Sequence, residues 1–282
     1  MKKCIAALMA ASMLLAMSGC SKKEETTTTT TTAATTTEAT TTTEATTEAS
    51  SEETSASEES TEASESKEEG KVLSYAEYVA AEMETAVTIE AYVQAKQSWW
   101  DNKATVYLQD ENGAYFAYNM TCTEEDYAKL VDGQKIRVSG YKNVWSGEVE
   151  ITDATFEVID GNWKATPVDV TADLGTDALI DKQNQLVSFT GMKVEASKDA
   201  DGKEVAFLYK WDGSGAEGDD LYFQVSVNGN TYSFTVESYL CDKDSEVYKA
   251  VKELKVGDTV DMEGFLYWYE GVNPHITKVT KK

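Results

Sequence analysis

Alternation of apolar and polar positions runs from about residue 87 to the end of the chain, and it comes in two sets. Residues 87–93 alternate as a half-buried strand. Residues 104–110 and 114–120 form a hairpin around the turn signal Glu111-Asn112-Gly113. Thr123, followed by Glu124, Glu125 and Asp126, opens a short helix with a hydroxyl cap and acids in its first turn. Residues 135–140 are a fourth strand, and 148–158 a fifth. Residues 186–194 start the second set. A hairpin follows at 221–227 and 231–236 around Asn228-Gly229, then a helix at 242–254, and last strands before and after residue 264.

The clearest match between the sets is Gly133-Gln-Lys-Ile-Arg-Val-Ser-Gly140 with Gly257-Asp-Thr-Val-Asp-Met-Glu-Gly264. Three strands, a short helix and two strands resemble the OB-fold, a five-stranded Greek-key barrel with its helix between the third and fourth strands. The Gly-x-x-apolar-x-apolar-x-Gly entry into the fourth strand looks like the OB-fold domains of bacterial secreted proteins and lipoproteins. The fold class expected is all-β with short helices: two tandem OB-fold-like five-stranded barrels.

The beginning of the chain has different chemistry. Lys2 and Lys3 precede an apolar run at 5–17, too short to span a bilayer comfortably. Met17-Ser18-Gly19-Cys20 then resembles the lipobox of a bacterial lipoprotein signal peptide, which implies cleavage before Cys20 and lipid attachment to it. An ordinary secretory signal with a chance cysteine is the other reading. Residues 21–70 use only Ser, Thr, Ala, Glu, Lys and one Gly. Nothing there offsets the entropy of ordering, so a disordered tether spanning roughly 40 Å is expected. The organisation is therefore a signal peptide at 1–20 and a tether at 21–70. A first barrel with a leading helix follows at 71–160, and a second at 161–282 with a connector and a long first loop. The location expected is the extracellular face of a bacterial cell membrane, through lipid on Cys20.

Charge then narrows the partners. Residues 1–70 carry 5 Lys and 13 Glu, which leaves 20 basic and 37 acidic residues after them, a net of −17. Arg137 is the only arginine, so bidentate phosphate recognition is nearly absent. A nucleic-acid binder needs a basic footprint, and this balance argues against that partner class; Lys96, Lys103 and Lys142 near the first copy's loops are the opposing hint.

Five of the six tryptophans fall in two kinds of loop, each present in both copies. Trp99 and Trp100 lie between the first and second strands, and Trp145 between the fourth and fifth. Trp211 lies in the long insertion at 195–220, and Trp268, with Tyr267 and Tyr269, in the second copy's last loop. In OB-folds these loops flank the ligand face, so these seven residues are the candidate ligand-binding set. Their alternative role is structural, plugging barrel ends or joining the domains. Trp163, in the connector, reads as structural.

Catalytic chemistry is thin. His275, the only histidine, sits beside Pro274 and reads as structural. No Gly-x-Ser-x-Gly elbow and no phosphate loop is present. Asp242-x-Asp244-x-Glu246 echoes a calcium loop, but Val247 stands where that loop needs Gly; it reads as a helix cap. Cys122 and Cys241 occupy equivalent places in the two copies, which favours two separate thiols over a disulfide. No catalytic residue, metal or cofactor is expected. The function expected is a non-catalytic binding module for a neutral oligosaccharide or a peptide. Single-stranded nucleic-acid binding by base stacking and a structural docking role are the alternatives.

Overall fold

The computed structural model describes residues 70–282. The signal peptide, Cys20 and the tether up to residue 69 lie outside the described residues.

The first barrel is closed by β1 (Ala86–Lys96), β2 (Lys103–Gln109), β3 (Ala114–Thr121), β4 (Gln134–Trp145) and β5 (Glu148–Asn162), in the order β1-β2-β3-β5-β4. β1 pairs antiparallel with both β2 and β4, and a short parallel contact, Ala117 opposite Ile151, joins β3 to β5. Helix α1 (Tyr75–Ala80) precedes the barrel behind a capping box of Ser74 and Glu77. Helix α2 (Glu124–Lys129) stands between β3 and β4, its Thr123 side chain accepting from Asp126 N. Ile89, Ala91, Val93, Val106, Leu108, Tyr115, Met120, Ile136 and Val138 fill the interior.

After a two-residue strand β6 (Val168–Asp169), the second barrel repeats the plan. Its strands are β7 (Leu186–Glu195), β11 (Leu221–Val227), β12 (Asn230–Val236), β13 (Thr259–Phe265) and β14 (His275–Lys281). β7 pairs with both β11 and β13, and the parallel contact Thr235 opposite His275 joins β12 to β14. The long insertion carries three short strands, β8 (Ser197–Lys198), β9 (Glu204–Val205) and β10 (Leu208–Tyr209). Both copies are thus five-stranded OB-fold barrels, as the element order predicts.

The repeated glycines explain themselves in the backbone. Gly133 and Gly257 take φ of +85° and +94°, a region open to glycine and strained for other residues. Gly140 and Gly264 sit at matching register shifts, where the neighbouring strand passes too close for a side chain. A Cβ on Gly264 would lie 2.3 Å from the His275 carbonyl oxygen.

Two boundaries differ from the sequence reading. β4 runs through Trp145, which pairs with Glu148 across a two-residue turn of Ser146 and Gly147, both at positive φ. Trp145 thus ends a strand. Helix α3 (Glu246–Lys252) is shorter than expected, because Asp242 Oδ1 accepts from Asp244 N in a local turn and Ser245 is the cap.

Candidate ligand-binding cleft

The two barrels meet through a small apolar core of their own. Tyr107 and Phe116, on the outside of the first barrel, pack on Phe265 of the second. Tyr107 and Phe265 stack with ring centroids 4.3 Å apart. The Tyr107 hydroxyl meets His275 Nδ1 at 2.9 Å. Burial lowers the His275 pKa to about 3, so its imidazole is neutral at physiological pH.

Beside this core lies a buried polar knot. Glu148 is fully buried at the start of β5. Asn184 Nδ2 donates to its Oε1 at 2.5 Å, and the Trp268 backbone N–H donates to its Oε2 at 2.9 Å. Burial outweighs both bonds and pushes its carboxyl up to about 8. Gln183 spans the same seam, donating to Gly147 O and accepting from Val149 N.

Above the junction opens a cleft of ≈ 1020 Å³ whose walls come from both barrels. Trp100, Tyr118 and Trp145 line it from the first barrel; Trp211, Tyr222, Tyr239, Tyr267 and Tyr269 line it from the second. Trp100, Trp145 and Trp211 are 66%, 52% and 75% exposed. Trp145 and Tyr269 lie 5.3 Å apart with rings tilted by 43°, and Tyr267 stacks on His275 at 4.2 Å. Carboxyl groups share the lining: Glu150, Asp220 and Glu237. Glu237 is raised to about 7 by burial, and both its oxygens accept backbone N–H groups, from Tyr239 and Leu240.

Of the seven aromatic residues singled out from sequence, five line this cleft: Trp100, Trp145, Trp211, Tyr267 and Tyr269. The other two stand apart from it. Trp99 turns inward and its Nε1 donates to Cys122 O at 2.9 Å. Trp268 packs on the edge of the second barrel's core and against Gly147. Trp163 packs against Tyr92, centroids 5.6 Å apart. Sequence reasoning missed Tyr118, Tyr222 and Tyr239, which lie on or beside strands; no loop signal marks them. It also missed Glu150 and Glu237 in the lining, because acids are so abundant.

Of the three lysines near the first copy's loops, Lys103 lines the cleft. Lys96 donates to Tyr127 O, and Lys142 is buried with Nζ donating to three carbonyls at the end of α1. Cys122 and Cys241 are free thiols, raised by burial to about 11 and about 12. Among the described residues no group of three or more His, Cys, Asp or Glu is arranged to hold a metal.

No protein-family model and no curated protein matches the chain. Solved structures do. The Ifi202 HINa domain in complex with 20 bp dsDNA is 11% identical, with 70% of this chain and 98% of that one covered and a TM-score of 0.32. A murine DNA-binding protein bound to dsDNA is 8% identical, with 69% and 97% covered and a TM-score of 0.30. A replication protein A heterotrimer bound to ssDNA is 13% identical, with 68% and 49% covered and a TM-score of 0.29. The expectation that the acidic balance argues against a nucleic-acid partner is corrected here. The three solved structures named above hold dsDNA or ssDNA, and net charge describes a whole surface whereas base stacking needs one aromatic face. Overall charge therefore does not exclude that ligand class.

Proposed function

We propose that this chain is a non-catalytic binding protein, held at the outer face of a bacterial membrane by lipid on Cys20, whose inter-barrel cleft captures a ligand with flat ring faces. The lipobox-like run ending at Cys20 supports the anchoring. The observation that carries the binding reading is the set of exposed aromatic side chains converging on one cleft, with Trp100, Trp145 and Trp211 each more than half exposed. Apolar surface gathered in one concave place, amid polar groups, marks a ligand site.

Two ligand classes present such faces. Unpaired bases of a single-stranded nucleic acid stack on aromatic platforms with about 1–3 kcal/mol per base, and Lys103 stands at the same wall. Oligosaccharide rings stack on the same platforms, and the lining carboxyl groups Glu150, Asp220 and Glu237 favour this second reading, since they accept hydroxyl hydrogen bonds. The test is tryptophan fluorescence of residues 21–282 against oligonucleotide, oligosaccharide and peptide panels. Ligand-dependent shielding from acrylamide, abolished in Trp145→Ala, supports the reading and names the class. Silence to every panel, or shielding untouched by that substitution, refutes it.

A further inference from the structure

Glu150 presents a carboxyl that no group among the described residues answers. Its residue is 6% exposed, yet no hydrogen bond or ion pair from another described residue reaches its carboxyl. Its neighbours are served: Glu148 takes Asn184 and the Trp268 N–H, Glu237 takes two backbone N–H groups, and Asp220 takes the N–H and hydroxyl of Ser238. Glu150 lines the cleft, so what the protein leaves open of it faces the ligand space. Lys142, whose strand neighbour Asn143 pairs with Glu150, is turned away to cap α1. Lys103 shares the cleft and forms no ion pair with it; its other lining imidazole, His275, is neutral.

A carboxylate partly withdrawn from water and left without a partner is disfavoured, and burial raises the Glu150 pKa accordingly. A cation brought in by a ligand removes that cost. The surroundings suit one. Tyr118 and Tyr267 line the cleft with Glu150, and both rings pack on Phe116; Trp145 with Tyr269 forms a second aromatic wall. Aromatic faces attract ammonium groups through their quadrupole, most strongly where water is thinned.

Resting on the ring-binding reading of this cleft, we propose that its ligand is an oligosaccharide bearing a protonated amine, an amino-sugar oligomer, with Glu150 as the counter-ion and Tyr118, Trp145 and Tyr267 as the walls around the ammonium. The carboxyl lining that accepts sugar hydroxyls and the unanswered carboxylate then serve one ligand.

The experiment is calorimetric titration of residues 21–282, at pH 6 and low salt, with a glucosamine tetramer and with its fully N-acetylated counterpart. The rings are the same and the charge is masked in the second. The free amine binds about tenfold tighter, and Glu150→Gln removes that preference, so that the two oligomers bind the variant equally. Equal or tighter binding of the N-acetylated oligomer overturns the amine proposal and leaves ring binding standing. A tenfold preference that survives Glu150→Gln overturns the role of Glu150. A lysine tetrapeptide or spermidine that binds as tightly as the glucosamine tetramer overturns the sugar. Silence of both oligomers, when an oligonucleotide does bind, overturns the proposal and assigns the ring-binding cleft to bases. Melting of Glu150→Gln at or above the wild-type temperature establishes that the variant folds.

Discussion

The phenol oxygen of Tyr107, on the outside of the first barrel, lies 2.9 Å from Nδ1 of His275, the first residue of the second barrel's last strand. Both residues are buried. The pair ties one barrel's outer face to the edge of the other at the base of the cleft. Tyr107→Phe keeps the stack on Phe265 and leaves the imidazole nitrogen without a partner, which costs about 1–3 kcal/mol. The account predicts a lower melting temperature and a weaker ligand response. Unchanged stability would mean that water replaces the bond.

His275 and Glu148 give stability opposite pH slopes. The His275 pKa falls to about 3 on folding, so the unfolded chain binds more protons between about pH 3 and 6.5, and stability is lost as pH falls through that window. The Glu148 pKa rises to about 8. The folded chain therefore binds more protons between about pH 4.5 and 8, and stability is lost as pH rises there. Wild type is most stable in mildly acidic solution. Glu148→Gln flattens the alkaline limb and His275→Gln the acid limb, read from denaturant midpoints between pH 4 and 9.

The glycine pairs predict a graded response. Gly264→Ala drives a Cβ into the β14 backbone and costs about 2–3 kcal/mol or more. Gly257→Ala meets open space but keeps a positive φ, and costs about 1–2 kcal/mol. Equal losses in urea melts would contradict the close approach at Gly264.

Trp99 and Trp100 are adjacent and predicted to behave oppositely. Trp99→Phe loses the bond to Cys122 O and lowers stability by about 1 kcal/mol. Trp100→Ala, at an exposed site, changes stability by less than about 0.5 kcal/mol and weakens ligand binding. Thermal melts beside a binding titration separate the two.

How much of this was legible in the sequence follows from what each residue faces. The barrels were readable because period-two alternation is the direct imprint of one buried face, and because Gly140 and Gly264 are imposed by backbone contact. The cleft was half readable: Trp100 and Trp211 announce themselves as large apolar side chains in loops. The junction was not. In β2, residues 104–109 are buried on both faces, one by the first barrel's core and the other by the second barrel. Glu148 and Glu150 alternate with Val149 and Ile151 as if they faced water. They are buried because Trp268, Asn184 and the cleft wall cover that outer face, which local pattern cannot report. Helix α3 is shorter than the pattern at 242–254 predicts because the leading acids make a turn before the Ser245 cap.

The central claim, that the inter-barrel cleft is a binding site built on its exposed aromatics, is tested most directly by acrylamide quenching of residues 21–282 with and without ligand, in wild type and Trp145→Ala. The account predicts strong quenching in the free protein, protection by one ligand class, and loss of that protection in the variant at unchanged melting temperature. Tryptophans that are inaccessible before any ligand is added, or protection identical in Trp145→Ala, would contradict it.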